Sequence, residues 1–357
     1  MRILIAWADD SSTNLGVRAL AQGSCDVLRR VWPHAEFEFM NYGARPPSVP
    51  WSPGGLLKER FSGRMGMMEW LSSFDIYWDT RSGDSFSDIY GMPRLRTMSI
   101  IHELAVQAGT RAGMAPQTIG PFVGAEARIL ARRTLSRSRV VLARDEASAR
   151  AAERLGRPVD RVSTDVVFGL RQPERERPRD VVLNVSGLLW QENSHVDYLA
   201  YRRIIRDLID RLLGHGRSVA LLPHVLDSSN ADNDVPTARE LHQDYDGRVE
   251  LCVPRDLDSA RSVIASSQIV IGARMHACLN ALSTGTPAVA MAYSRKFAPL
   301  LEGLGWSHVV PLTGDDVATD VLRSMDVGDL AERARDVQHR GQERVALALP
   351  VIAELTP

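Results

Sequence analysis

Short apolar runs rich in β-branched residues recur along the chain, and each is followed by a polar loop and then by a helical pattern of apolar residues. Examples are 3–8, 140–142, 181–185 and 269–271. Runs of this length are too short for helices and are typical of strands buried in a parallel sheet. The alternation predicts an α/β fold in which the loops that follow the strands gather at the carboxyl edge of a sheet.

A charged segment divides this pattern into two halves. Residues 172–180 (QPERERPRD) contain prolines and no apolar periodicity, as expected of a linker. We therefore predict a Rossmann-like domain over 1–171, the linker over 172–180, and a second Rossmann-like domain over 181–328. A final helix within 329–357 is expected to pack back on the N-terminal domain. The predicted fold class is α/β, with two doubly wound domains facing a cleft.

Composition excludes several classes of function. A net charge of −1 over 357 residues gives no field that would attract nucleic acid. The three cysteines are scattered without metal-ligand spacing, which indicates reduced thiols in a cytoplasm. No apolar run reaches the length of a membrane span, and the N-terminus is interpreted as a first strand and not a signal peptide. We expect a cytoplasmic protein, with at most peripheral contact at the inner face of a membrane and no nucleic-acid partner.

The most informative stretch is 268–305, where Arg274 and His276 follow a strand. Residues two apart do not share a face of a regular helix, but at a strand-to-helix turn both can point into the crevice where open α/β sheets bind ligands. The next strand ends in a second cationic loop that contains Tyr293 and Lys296. The pattern indicates an anion site. The alternative is a surface ion pair for Arg274 and a structural role for His276.

Two other regions offer candidates with open alternatives. The first loop contains Asn14 and Gly16, which either face a ligand or cap the next helix. Residues 43–69 are rich in Pro and Gly and are interpreted as a functional loop. Trp51 and Trp70 flank this loop, and each either stacks on a sugar or packs in the core.

Further candidates follow the strands at 74–78, 140–142 and 219–222 and the segment before Gln117. Gly83 and Asp84 lie in the first of these loops, where Asp84 is a candidate general base or a helix cap, and Asp88 is expected to cap the next helix. The other candidates are Gln117 and Thr118 as neutral donors, Arg144 at a strand terminus before the N-cap Asp145, and His224.

These motifs resemble those of the polysaccharide pyruvyl transferase family. The family typically has Arg-Leu-His-Ala where this chain has ARMHA, then an apolar strand that ends in Tyr, with a Lys a few residues later. This chain departs from the family pattern at Val17, where the family often has Asp, and at Ser82, where the family often has Gly. The matching segments are GARMHA at 272–277, PQTIGP at 116–121, RDEAS at 144–148, SGD at 82–84 and DVVF at 165–168.

The resemblance implies a GT-B-like architecture, with the N-terminal domain on the acceptor side and the C-terminal domain on the donor side. It also implies transfer of a pyruvyl group from phosphoenolpyruvate to two hydroxyls of a sugar, giving a cyclic ketal and phosphate without a metal or organic cofactor. Arg144 and Arg274 would bind the donor's phosphate and carboxylate, His276 would protonate it, and Asp84 would accept a hydroxyl proton. The acceptor would be a polysaccharide or glycolipid of the cell envelope, lipid-linked or free. The oligomeric state is left open.

Two alternatives remain. A GT-B glycosyltransferase that uses a nucleotide sugar would share the architecture and need cationic loops near a diphosphate. A non-catalytic sugar- or phosphate-binding protein of the same fold would accommodate the departures at Val17 and Ser82.

Overall fold

The computed structural model describes residues 1–42, 51–227, 232–294 and 297–356. The chain divides into two compact units. The first unit comprises 1–11, 20–170 and 342–357, and the second comprises 12–19 and 171–341. Segment 12–19 lies in the second unit, outside the predicted range of that domain, because Asn14 forms an antiparallel bridge with Val225 there.

The described residues of the first unit form a six-stranded parallel sheet in the order β2-β1-β3-β4-β5-β6. The strand order reverses between β1 and β3, which is the switch point of this sheet. The strands are β1 (Arg2–Ala6), β2 (Glu36–Met40), β3 (Ile76–Asp79), β4 (Arg111–Gln117), β5 (Val140–Ala143) and β6 (Arg161–Val162). The helices are α1 (Leu15–Arg29), α2 (Pro53–Ser62), α3 (Met67–Ser72), α4 (Met92–Gln107), α5 (Ala125–Arg137) and α6 (Glu146–Arg154).

The second unit, over its described residues, has a six-stranded parallel sheet in the order β12-β11-β10-β7-β8-β9, with its switch point between β7 and β10. The strands are β7 (Arg179–Asn184), β8 (Val219–Leu221), β9 (Glu250–Leu251), β10 (Ser267–Gly272), β11 (Ala288–Ala292) and β12 (Val309–Pro311). The helices are α7 (Gly187–Trp190), α8 (Tyr198–Gly214), α9 (Val235–Asp244), α10 (Leu257–Ala265), α11 (Met275–Ser283), α12 (Phe297–Gly303), α13 (Val317–Met325) and α14 (Leu330–Ala353), of which the part from Gln342 onward belongs to the first unit.

The predicted class, two doubly wound Rossmann-like α/β domains, is confirmed. The central strands are buried on both faces, as the continuous apolar runs predict: every residue of β5 is buried, and so is every residue of β3. No helix in the described part of the chain is long and apolar enough to cross a membrane.

The prediction of one irregular loop over 43–69 is wrong for the part that the structure describes, and 43–50 lie outside it. Ser52 caps α2 by accepting a hydrogen bond from Gly55 N at 3.1 Å, with Pro53 in the first turn. The buried carboxylate of Glu59 then accepts backbone N–H groups from the turn that leads into α3. Ser52 and Pro53 are typical of a helix start, but the two glycines that follow them are unfavourable in helices, so the sequence did not predict the helix.

The two tryptophans that flank this region pack in the first unit. Trp51 lies edge-on to Trp7 with ring centroids 5.5 Å apart and contacts Tyr42 at 5.9 Å. Trp70 lies edge-on to Phe74 at 5.1 Å. Aromatic side chains in this geometry stabilise a core, so the packing alternative is the one observed.

The C-terminal segment completes the first unit. Leu355 is fully buried, and a Cβ placed on Gly113 of β4 would lie 2.6 Å from its Cδ1. The Arg139 guanidinium Nε donates to the carbonyl of Glu354 at 2.6 Å. The end of the chain is therefore fixed against β4 by packing and by a charge-assisted hydrogen bond.

We predict that Leu355→Ala destabilises the protein by about 2–5 kcal/mol, because it leaves a cavity beside β4. Leu347→Ala is the matched control, since Leu347 is 57% exposed near the end of the same chain. Urea unfolding followed by tryptophan fluorescence measures both. Equal losses in the two variants would contradict the assignment of Leu355 to the core.

Candidate functional site

The switch point of the second unit places the Arg/His turn that the sequence singles out. Asn184 ends β7, and its side-chain oxygen accepts the backbone N–H of Arg274 at 3.0 Å. The amide nitrogen of the same side chain donates to Leu222 O at 3.0 Å. Asn184 thus holds the loops that follow β8 and β10 beside the end of β7, with Arg274 at the N-cap of α11.

The guanidinium of Arg274 is mostly buried and lies between two carboxylates. Nη1 is 2.6 Å from Asp232 Oδ1, and Nη2 is 2.7 Å from Asp234 Oδ1. Nη2 also donates to the backbone carbonyl of Asp232 at 2.7 Å. Burial by itself lowers the pKa of Arg274, but the two carboxylates outweigh burial and the pKa is raised. The side chain is a fixed cation.

Asp234 connects three loops at this edge, and sequence analysis missed it. Its carboxylate is fully buried and accepts backbone N–H groups from Gly187 at 2.7 Å and from His224 and Val225 at 3.0 Å. It also accepts from Arg274. An Asp before the Val-Pro start of α9 indicates an ordinary helix cap, yet this carboxylate makes no cap bond to α9. No local signal reveals its longer contacts.

The first loop of the chain lies against His276. A Cβ added to Gly16 would be 2.8 Å from His276 Nδ1 and 3.1 Å from Asn14 Oδ1. Asn14 Oδ1 accepts the backbone N–H of Gly16 at 2.9 Å, so Asn14 serves as a helix cap, the alternative that the sequence left open. The cap also has a consequence at the site, because it positions a residue without a side chain beside the imidazole of His276.

His224 is buried behind this turn, and its hydrogen bonds define its tautomer. Arg261 Nη1 donates to Asn280 Oδ1 at 2.7 Å, which orients the amide so that its nitrogen faces His224 Nε2 at 3.2 Å. His224 Nε2 is therefore an acceptor, and the ring proton lies on Nδ1. Burial, and to a smaller extent the nearby His276 and Arg274, lower the pKa of His224 to about 3. The ring is neutral at physiological pH.

The loop after β11 places Tyr293 near the same edge. Its ring centroid is 5.3 Å from that of His195 and 5.7 Å from that of Phe297. Lys296 lies outside the described residues, so its predicted role in substrate binding stays a prediction.

In the first unit, the loop after β3 has a strained backbone. Arg81, Ser82 and Gly83 have φ values of 47°, 51° and 81°, and the first two are not glycines. Left-handed residues of this kind cost about 1–2 kcal/mol each and persist where surrounding contacts hold them. The backbone carbonyl of Gly83 accepts the N–H of Thr118 at 2.9 Å, which joins this loop to the one after β4.

A buried network, which sequence analysis did not find, holds that backbone. Asp79 Oδ2 accepts from Arg81 Nε at 2.9 Å and contacts His102 Nδ1 at 2.7 Å. The other ring nitrogen of His102 is 3.1 Å from Ser138 Oγ. Burial by itself raises the pKa of Asp79, but Arg81 and His102 outweigh it and the pKa is lowered. The ionised carboxylate therefore fixes Arg81 in its left-handed conformation.

Arg144 lies at the end of β5, at the same edge. Its Nη1 is 3.3 Å from Asp165 Oδ2, with both side chains buried, and 3.5 Å from the position of a Cβ on Gly83. The backbone N–H of Arg144 donates to Gln117 O at 3.2 Å. Among the described residues, Arg144 Nε and Gln117 Oε1 are buried without a hydrogen-bond partner. The loops after β3, β4 and β5 thus bring Gly83, Gln117, Thr118 and Arg144 together.

The three acidic residues of these loops have different partners. Asp84 is half-buried, and its Oδ2 accepts the hydroxyl of Tyr90 at 2.6 Å. The carboxylate of Asp88 accepts Val123 N and Gly124 N at 2.8 Å each, in the turn that precedes α5. The prediction that Asp88 caps the next helix, α4, is wrong, since α4 has no side-chain cap. Asp145 caps α6 by accepting Ser148 N at 2.7 Å, which confirms that prediction.

A doubly wound α/β protein with arginines and histidines at the carboxyl edges of its sheets is typical of an enzyme that handles an anionic substrate. This chain belongs to the polysaccharide pyruvyl transferase family, whose model matches residues 14–295. The match includes every predicted site residue except Lys296, which lies one residue past its end. No curated protein is similar enough in sequence to match the chain.

Solved structures with the same fold include enzymes that act on nucleotide sugars. A UDP-GlcNAc 2-epimerase from Neisseria meningitidis bound to UDP-GlcNAc has 11% identity over 99% of each chain, with a TM-score of 0.58. S. aureus MnaA with UDP has 10% identity over 97% of this chain and 94% of its own, with a TM-score of 0.60. Anabaena Alr3699/HepE with UDP has 14% identity over 99% of each chain, with a TM-score of 0.53. At these identities the likeness shows the fold alone.

Within the described ranges, no group of three or more His, Cys, Asp or Glu side chains is placed to hold a metal ion.

We predict that Gly16→Ala destabilises the protein by about 1–3 kcal/mol, the usual cost of an extra methyl in a packed site, because the methyl would overlap His276. Gly214→Ala is the control, since a Cβ there meets no atom within 4 Å. Urea unfolding compares them. If Gly16→Ala were as stable as Gly214→Ala, the His276 ring would move aside without loss of stability, and the prediction would be wrong.

We also predict that acid destabilises the protein partly through His224. Its pKa is lower in the folded state than in the unfolded chain, so its stabilising effect is complete above about pH 6.5 and is lost as the pH falls toward 3. In that window the unfolded chain binds one more proton at this residue, which costs up to about 1.4 kcal/mol per pH unit. Urea unfolding between pH 7 and pH 4 should show a shallower pH dependence for His224→Gln. His34→Gln, at an exposed position, controls for the substitution. If the free energy of unfolding of wild type and of His224→Gln depended equally on pH, the lowered pKa of His224 would be contradicted.

Proposed function

We propose that this protein transfers the pyruvyl group of phosphoenolpyruvate to two hydroxyls of one sugar, forming a cyclic ketal and releasing phosphate. The observation that carries the proposal is the turn between β10 and α11, at the switch point of the second sheet. There Arg274 stands at the N-cap and His276 in the first turn of a nine-residue helix that no side chain caps. A guanidinium next to a helix N-terminus suits a dianionic donor.

The reaction balances without a change in oxidation state. One sugar hydroxyl oxygen bonds to C2 of phosphoenolpyruvate, its proton leaves to a base, and C3 gains a proton to become a methyl group. The second hydroxyl oxygen then bonds to C2 as the C2–O bond to phosphate breaks, and phosphate leaves with the electron pair of that bond. The second hydroxyl loses its proton. We propose no metal or organic cofactor for these steps.

In the second unit, we assign Arg274 to the donor's carboxylate or phosphate and His276 to protonation of C3. Arg274 suits the first role because its position is fixed by Asp234 and Asn184. His276 suits the second because it lies in the first turn of α11, two residues after Arg274. A positioned proton donor of this kind contributes about 10²–10⁴-fold in rate.

In the first unit, we assign Arg144 to a donor oxyanion and Asp84 to the hydroxyl proton. Arg144 Nε is buried and lacks a hydrogen-bond partner among the described residues, which suits a ligand oxygen. The carboxylate of Asp84 is half-buried on a turn rather than fixed in a helix. The proposed contacts with substrate also include Asn14, Gly16, Gly83, Gln117, Thr118, His224, Tyr293 and Lys296.

The proposed acceptor is a sugar of a cell-envelope polysaccharide or glycolipid, lipid-linked or free, modified in the cytoplasm or at the inner face of the membrane. Two other functions would suit the same fold. The solved neighbours that bind UDP make a nucleotide-sugar transferase one of them. A non-catalytic sugar- or phosphate-binding protein is the other. Neither is favoured by a specific observation in the loops, so both serve as outcomes of the test.

The test is phosphate release from phosphoenolpyruvate with a panel of acceptor glycosides, run beside UDP-sugars with the same acceptors. We expect release with phosphoenolpyruvate, a fall of about a hundredfold or more in kcat for His276→Ala, and a steep loss for Arg274→Lys, since Lys keeps the charge but loses the planar fork. Arg323→Lys, on an exposed side chain, is the control. Turnover of a UDP-sugar alone would replace the proposal with glycosyl transfer. Binding without turnover of either donor would indicate a binding protein.

A further inference from the structure

The two terminal nitrogens of the Arg274 guanidinium, Nη1 and Nη2, already contact the protein's own carboxylates. Asp232 Oδ1 lies 2.6 Å from Nη1 and Asp234 Oδ1 lies 2.7 Å from Nη2. A substrate anion that binds Arg274 through both terminal nitrogens must therefore displace a resident oxygen. The two carboxylates differ in whether they can leave.

Asp234 is fixed. Its side chain has no solvent exposure, and its carboxylate accepts three backbone N–H groups in addition to Arg274. Removing it from the guanidinium would leave those buried donors without an acceptor, which folded proteins avoid. Asp234 therefore stays in place when a ligand binds and keeps Nη2 oriented.

Asp232 is different. Its side chain is 35% exposed, although the oxygen that contacts Arg274, Oδ1, is buried, and within the described residues its carboxylate contacts Arg274 and accepts no backbone N–H. Opening this contact costs less than opening the one to Asp234, because water solvates the departing carboxylate and Asp234 still pairs with the guanidinium. Rotation of the side chain toward solvent would free Nη1.

We propose that Asp232 is an exchangeable carboxylate that occupies, in the unliganded protein, the place on Arg274 Nη1 that a carboxylate or phosphate oxygen of the donor takes. The proposal rests on the proposed function. Asp232 competes with the incoming anion, so it sets the donor's affinity. It also competes with the phosphate product for the same nitrogen, so its return to Nη1 promotes product release.

This inference predicts a gain of affinity, which damage to the fold does not produce. Asp232→Asn keeps the size of the side chain but removes both the competing charge and its repulsion of a polyanion. We expect the Kd for phosphoenolpyruvate to fall by about five- to thirtyfold, since one unit charge a few ångströms away is worth roughly this much in a partly solvated site. The inhibition constant for phosphate should fall in the same direction.

Two variants serve as controls. Asp244→Asn removes a negative charge from a partly exposed Asp–Arg pair in the same unit, with 42% exposure and a 2.7 Å contact to Arg206. It should leave the Kd unchanged. Asp234→Asn removes the fixed carboxylate, and the Kd should rise because Arg274 loses its orientation.

Isothermal titration calorimetry of the full chain with phosphoenolpyruvate, and separately with inorganic phosphate, measures these effects. A lower Kd in Asp232→Asn alone supports the proposal. An unchanged or higher Kd overturns it, as does an equal gain in Asp244→Asn or a lack of binding of both anions by wild type and Asp232→Asn. If Asp232→Asn tightens phosphate binding but no protein releases phosphate from phosphoenolpyruvate, pyruvyl transfer fails while the exchange at Arg274 stands.

Discussion

Charge-assisted hydrogen bonds to a buried carboxylate hold the loops at the carboxyl edge of each sheet. In the second unit, Asp234 joins the loops after β7, β8 and β10 by accepting from backbone N–H groups and from Arg274. In the first unit, Asp79 holds Arg81 and His102. The strands are set by hydrophobic burial, but burial is non-directional and does not place a polar side chain. These carboxylates supply the direction.

Pairing with carboxylates also distinguishes the two arginines that we propose to bind the donor substrate. Arg144 and Asp165 are both buried, and separating a buried pair would leave an uncompensated charge in a poorly solvated place. Arg144 is thus a fixed cation with Nε as its open donor among the described residues. Arg274 has one fixed partner and one partly exposed one. The second pairing can open while Asp234 still compensates the guanidinium, so exchange of an anion is expected at Arg274 and not at Arg144.

The fold could be predicted from sequence because it depends on local signals. The strands at 140–142 and 181–185 are visible as runs of apolar residues, and the structure places them within a residue or two of the expected ends. The arginine and histidine turn was also predictable, since its residues follow a strand directly. Nothing local marks the contacts of Asp79 with His102, 23 residues away, or of Asp234 with Arg274, 40 residues away.

The helix α2, before Trp70, was missed for a different reason: a local helix-start signal was present, but neighbouring residues of low helix propensity concealed it from the sequence analysis. Ser52 and Pro53 mark a helix start, yet the neighbouring glycines lower the helix propensity of the segment. The buried carboxylate of Glu59 compensates by accepting three backbone N–H groups of the following turn. A tertiary contact made by one charged side chain thus overrides the propensity of the residues around it.

The turn after β3 has a strained backbone that buried contacts hold in place. Arg81 and Ser82 adopt left-handed conformations that glycine adopts without cost, and the buried pair of Arg81 with Asp79 offsets the penalty. Such a backbone persists only where the position of the loop matters more than its intrinsic preference. Enzymes such as the UDP-GlcNAc 2-epimerase of Neisseria meningitidis have a similar fold at 11% identity, so the sheets alone do not determine the substrate. Substrate choice depends on the loops, and in this chain buried carboxylates hold the loops after β3, β7, β8 and β10.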